Sequence, residues 1–372
     1  MTKSFAHSAI AATAVIAALV FSGCSSSSPD ASPETPQGSE GVSQDMIDLV
    51  AQASGEIGFE GPASSPGIVP DQSIAVITCA AAAAGCVRVA EGVKAAGELV
   101  GWSVSELDGQ GQAAGQNSAI LQAVSQGVDG IVLVAIDSSS VSQGMSAAAD
   151  AGIPVVSVQA DNVVGNAPTD VYAEPVSGSL RAGEALGAYA VVESDATAKV
   201  ATLSTDELAV TRNRTAGFVE QIDACSGCEV VDTQNYLLSK AVTDVPLLVS
   251  SMLQSHPDLD YIFVDIGQFG ALTAQAIQSA GSEAEVLSVD CNPDDIVLIR
   301  DGAGQSACAA NALGAGGWAA VAALNFAIAG EPTPEGLVVP TKLITVDNLP
   351  DTDEWAGDFD LAAEYGAFWG IN

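Results

Sequence analysis

The chain has 372 residues, 48% of them hydrophobic and 15% charged, enough for two globular domains with ample core. Ten Lys and Arg stand against 46 Asp and Glu, a formal net charge of -36, so phosphate backbones and anionic lipid headgroups are repelled and nucleic acid is excluded as a partner. With only two histidines, His7 and His256, neither a His-pair metal site nor a two-histidine catalytic scheme can be built.

Residues 1–23 read as an export signal. Lys3 supplies the positive region, and residues 9–21 form an apolar run of 13, too short to span a bilayer. The run ends in Phe21-Ser22-Gly23-Cys24, small residues before a cysteine. That ending resembles the lipobox of bacterial lipoproteins, with Phe21 where leucine is usual. It implies cleavage before Cys24, lipidation of Cys24 and a membrane-anchored, extracytoplasmic protein; a plain secretory signal is the alternative. Residues 24–61 follow as a tether and amino-terminal extension. The first part, to about residue 44, is Ser/Pro/Glu/Gly-rich and aperiodic. Met46, Leu49, Val50 and Ala53 then fall at helical spacing, before an extended stretch around Phe59.

From residue 73, apolar runs of strand length alternate with amphipathic segments. Strands over 73–79, 102–107, 130–134 and 154–158 interleave with helices over 87–100, 117–125 and 140–151. The cadence restarts with a helix over 179–192. It continues with strands over 199–203, 230–234, 261–264, 286–289 and 306–311, and helices over 212–222, 245–255, 271–279, 295–300 and 317–329. Strand runs without strict alternation are what a parallel sheet covered on both faces requires. Repeated βα units imply right-handed crossovers, and about ten strands are better divided between two sheets. The predicted fold class is α/β, with two doubly wound parallel-sheet lobes.

Apart from Cys24 the cysteines are Cys79, Cys86, Cys225, Cys228, Cys291 and Cys308, an even number in an exported chain and therefore candidates for disulfides. Nearest neighbours would pair as Cys79–Cys86, Cys225–Cys228 and Cys291–Cys308, one of 15 possible connectivities. A redox CxxC opens a helix after a strand. Cys225-Ser-Gly-Cys228 follows a helical segment and leads into a strand, so it reads as a structural turn clip.

Ligands of open parallel sheets bind beyond the carboxyl ends of the strands. Polar groups recur in those loops: Gln159, Asp161, Asp265, Asp290 and Asn311. A single Asp there commonly caps a helix; several in corresponding positions of two sheets point to a binding site.

The order of segments from residue 71 to about 339 resembles the type I periplasmic sugar-binding proteins, the ribose-binding-like receptors of ABC transporters. The resemblance is carried by Ser73-Ile-Ala-Val-Ile-Thr-Cys79, Glu91-Gly92-Val-Lys-Ala-Ala96, Gly127-Val-Asp-Gly-Ile-Val-Leu133, Ala151-Gly-Ile-Pro-Val-Val156, Arg212-Asn-Arg-Thr-Ala-Gly-Phe218 and His256-Pro-Asp258. It implies two lobes joined by a three-crossing hinge, one over 62–172 plus 312–338 and the other over 173–311 plus 340–372. Closure on a small polar ligand, a sugar or sugar-like molecule, would present the protein to an ABC permease. Carried over, Arg214 falls on the family's ligand-binding arginine, Asp290 on its aspartate and Asn311 on its amide. Guanidinium and carboxylate can each engage neighbouring hydroxyls in fork geometry. Tyr236 and Phe269 are the stacking candidates in the second lobe.

The first lobe departs from the family. Its first loop is Cys79 followed by five alanines, Gly85 and Cys86, with neither side-chain donors nor an aromatic ring. Val134 replaces an asparagine, and Gln159-Ala160 an Asp-Arg pair. What remains there is backbone N–H at a helix start. No cofactor, metal or catalytic residue is expected. A hydrolase would need a nucleophile elbow, which is lacking, and His256 lies before Pro257 at a helix end. The expected protein is a monomeric binding lipoprotein; a sensory lipoprotein of the same fold is the alternative.

Overall fold

The computed structural model describes residues 41–371. The expected signal peptide, Cys24 and most of the tether lie outside the described residues.

Among the described residues, ten strands form two sheets. The first comprises β1 (Ser73–Thr78), β2 (Ser103–Asp108), β3 (Gly130–Val134) and β4 (Val155–Val158), all parallel, in the order β2-β1-β3-β4. The second holds β5 (Lys199–Ser204), β6 (Glu229–Asn235), β7 (Tyr261–Val264), β8 (Glu285–Val289), β9 (Gln305–Asn311) and β10 (Thr341–Ile344), in the order β10-β9-β8-β7-β5-β6. β3, β4 and β7 are buried along their whole length, which accounts for their mostly apolar sequences without strict alternation. The all-parallel expectation needs one correction: β10 pairs antiparallel with β9, Thr341 opposite Asn311. Its four residues are too few to show a period.

Helices cover both faces of each sheet. On the first, α2 (Ala84–Val100) and α10 (Leu313–Ile328) pack on one face, α3 (Ala113–Gln126) and α4 (Ser142–Asp150) on the other. On the second, α5 (Ser179–Glu193) and α6 (Ala209–Ala224) oppose α7 (Ala241–Ser255) and α8 (Gly270–Ala280). α7 starts four residues earlier than the sequence predicts and carries Pro246 inside it. The buried face of Ala241, Val245 and Val249 offsets the one backbone bond a proline forgoes. α9 (Pro293–Asp301) follows β8 and is capped by Asn292 in a capping box with Asp295, which leaves Asp290 free of that duty.

The chain passes between the sheets after β4, between β9 and α10, and between α10 and β10. Two further segments also run across. α1 (Gln44–Ser54) packs on α5 and β10, and the extended residues after it reach the first lobe, where Trp102 and Asn325 hydrogen-bond the backbone at Val69. At the other end α11 (Leu361–Trp369) packs on α2 and α10, burying Tyr365 and Trp369 beside Trp318. Within residues 340–372, β10 pairs with β9 of the second sheet, while α11 packs on helices of the first. Asp358 fastens both segments, accepting from Lys342 Nζ and the Ile57 amide, each at 2.8 Å, and from Trp355 Nε1.

Among the described residues, three disulfides join Cys79 to Cys86, Cys225 to Cys228 and Cys291 to Cys308. Cys225–Cys228 closes the turn between α6 and β6. Among the described residues no helix is long and apolar enough to cross a membrane.

Candidate functional site

Loops at the carboxyl ends of both sheets converge on a cavity of about 190 Å3 between the lobes. A cavity of about 150 Å3 accommodates benzene, so there is room here for a single ring.

The second lobe supplies the charged wall. Arg214 lies on α6 and is only 4% exposed. Its position is set by helix packing: a Cβ on Gly183 of α5 would collide with the Arg214 carbonyl oxygen, and one on Gly217 with the Leu180 carbonyl. Only glycines let α5 and α6 approach this closely. The guanidinium donates Nη1 to Asp290 Oδ2 at 3.0 Å and Nη2 to Asp290 Oδ1 at 2.8 Å, a bidentate fork, and Nη1 also reaches the Asp265 carbonyl at 2.9 Å. Asp290 follows β8 with φ +80°, and its neighbour Cys291 is tied to β9 through Cys308. Asn311 donates Nδ2 to Asp290 Oδ1 at 3.0 Å, while its own Oδ1 accepts from Thr341.

Of the eight residues singled out in the sequence, Arg214, Asp290, Gln159 and Phe269 line the cavity; Asn311, Asp161, Asp265 and Tyr236 stand outside its wall. Asp265 is fully buried and accepts from Tyr236 Oη at 2.6 Å and the Thr205 amide at 2.7 Å. Burial pushes its carboxyl up to about 7 against those donors and Arg214. Tyr236 meets Phe269 edge-on, ring centroids 5.3 Å apart, so the two rings support one another and only Phe269 faces the cavity. Asp161 accepts from Ser177, Ser179 and, at 2.6 Å, Asn213 Nδ2 on α6, linking the loop after β4 to the second lobe.

The first lobe contributes Ala83, Ala84, Val134 and Ala135, the Cys79–Cys86 bridge, and Gln159. Gln159 is 6% exposed, takes φ +62°, and its Nε2 has no hydrogen-bond partner. Glu174 holds this turn, accepting from Ser157 Oγ and from the Ala160 and Asp161 amides at 3.0 and 3.2 Å. Burial raises its carboxyl to about 8.

Arg88, absent from the sequence expectations, also lines the cavity. From the second turn of α2 it crosses to Asn292 Oδ1 at 3.0 Å and pairs with Glu354 at 3.5 Å. The available signal was its place: a rare cation just past a strand-end loop. Among the described residues no cluster of three or more His, Cys, Asp or Glu could hold a metal.

Two doubly wound lobes with a lined cavity between their strand ends define an interlobe solute-binding protein. The chain belongs to the periplasmic binding protein domain family, whose model matches residues 74–332. It is 27% identical over 216 residues to the ribose import binding protein of Bacillus subtilis (strain 168), covering 58% of this chain and 68% of the relative. It is 23% identical over 220 residues to the ribose import binding protein of Escherichia coli (strain K12), covering 58% and 71%. The fold is shared with an ABC transporter solute-binding protein from Burkholderia graminis C4D1M in complex with D-arabinose (TM-score 0.68, 23% identity, 76% of this chain and 98% of that one). It is shared equally with one from Mycobacterium smegmatis with bound glycerol (TM-score 0.67, 23% identity, 76% and 99%). The chain is thus a solute-binding protein and not an enzyme.

Proposed function

We propose that the chain captures a small neutral sugar or polyol between its lobes and delivers it to an ABC importer. The observation that carries this reading is the buried Arg214–Asp290 fork on the cavity wall. Guanidinium and carboxylate neutralise each other yet keep directed hydrogen-bonding capacity, which suits hydroxyls that both donate and accept. Gln159 supplies a donor from the facing lobe, Phe269 an apolar face, and Asn311, Asp161, Asp265 and Tyr236 hold the binding groups in place. Relatives named as import proteins favour delivery over sensing.

The lobes in this reading are residues 62–172 with 312–338 and residues 173–311 with 340–346, the first also carrying α11. A lipid on Cys24 keeps the monomer at the outer face of the cell membrane beside its permease, and residues 25–42 are the spacer. Thermal unfolding across monosaccharides, polyols, nucleosides and sugar acids tests the ligand class. One sugar or polyol group should raise the melting temperature in a saturable way; stabilisation by the sugar acids or nucleosides alone contradicts it.

A further inference from the structure

Building on the sugar-or-polyol reading, we propose that the guest is an uncharged ring poor in hydroxyls on one side: a deoxy, C-methyl or O-methyl sugar or polyol, in place of a fully hydroxylated pentose. Three observations converge on this class.

The first is the wall. Ala83, Ala84, Val134, Ala135 and the Cys79–Cys86 bridge offer no side-chain hydroxyl, amide or charge. The facing lobe adds Leu208, Val210, Leu238, Ile266 and Phe269. A hydroxyl pressed against these side chains loses water and gains no side-chain partner, at about tenfold in affinity each unless it reaches a free backbone amide at the start of α2. A methyl in the same place gains contact.

The second is charge. Arg214 is forked onto Asp290, and Arg88 is engaged by Asn292 and Glu354, so an ionic guest meets no unmatched countercharge.

The third is the inventory of unused donors. Gln159 Nε2, Arg88 Nε and Arg214 Nε are buried without partners, on side chains that line the cavity. With the one lone pair left on Asp290 Oδ2 and the Gln268 amide at the rim, they are the few side-chain groups open to ligand oxygens, and none lies on the alanine wall.

Matched sugars separate this proposal from the reading it rests on. L-arabinose, D-fucose and D-galactose share ring configuration and differ only in carrying hydrogen, methyl or hydroxymethyl at C5. D-ribose, 6-deoxy-D-allose and D-allose form a second such series, and D-xylose, 6-deoxy-D-glucose and D-glucose a third. Titration calorimetry should show, in the series that binds, the methyl sugar about tenfold or more tighter than the hydroxymethyl sugar. Ala84→Ser, at the exposed first residue of α2, should narrow that gap while leaving the unfolding temperature of the free protein unchanged. A hydroxymethyl sugar or bare pentose that binds as tightly as its methyl partner overturns the proposal and leaves the broader reading standing. If no sugar or polyol binds, the broader reading falls and this one with it.

Discussion

Gln159 holds its left-handed backbone because Glu174, 15 residues on, gathers the two amides that follow it. That carboxyl stays protonated up to about pH 8, whereas an exposed glutamate ionises near 4.5. The folded chain therefore binds the proton more tightly than the unfolded one. The resulting stabilisation is complete below about pH 4.5 and is lost as pH climbs towards 8. Asp265 and Asp295, both raised by burial to about 7, act in the same direction. Unfolding temperature should fall between pH 5 and pH 8, and Glu174→Gln should flatten that fall; an equal slope in wild type and variant would contradict the assignment. In the sequence Asp290 is offered by its strand-end position, and Arg214 by the Arg212-Asn-Arg-Thr-Ala-Gly-Phe218 segment that carries the resemblance. Arg88 and Glu174 are not legible there, since their roles depend on groups that only the fold brings near: Asn292 lies 204 residues from Arg88. Asn311 shows the converse. Its amide stands beside the site, but both ends are taken by Asp290 and Thr341, which local sequence does not reveal.

Helix placement rests on glycine. With Gly183 against the Arg214 carbonyl, α6 lies close enough to α5 for the guanidinium to meet Asp290. Gly183→Ala should force the helices apart, costing about 1–3 kcal/mol of stability, and weaken ligand binding besides. Chemical denaturation with parallel calorimetry checks both; unchanged affinity would mean that the spacing does not set the site. Most elements from β1 to α10 are readable because buried strands and two-faced helices impose distinct periods. The carboxyl-terminal elements are not. β10 is four residues long, and α11 combines Tyr365, Phe368 and Trp369 with alanines whose meaning depends on the aromatic cluster around Trp318. The contacts of the two strapping segments are silent in sequence, because Asp358 joins Ile57 to Lys342 across nearly the whole chain.

A molecule with 46 acids and ten bases repels itself, and ion pairs such as Lys94–Glu106 and Lys199–Asp258 are exposed and relieve little of it. Raising NaCl from about 0.05 to 1 M shortens the screening length from over 10 Å to about 3 Å and should raise the unfolding temperature; a flat or falling response would show that carboxylate repulsion is not a major strain on the fold. Two-lobe architecture is legible from the restart of the βα cadence after residue 178, while the extra crossings by residues 55–69 and 345–360 emerge only from the structure. The protein's function turns on whether the Arg214–Asp290 fork receives the guest. Titrating the stabilising sugar into wild type and Arg214→Ala measures this most directly. Wild type should bind one molecule per chain, and the variant should lose about 2–5 kcal/mol of affinity; equal affinity in the two proteins would place the guest elsewhere.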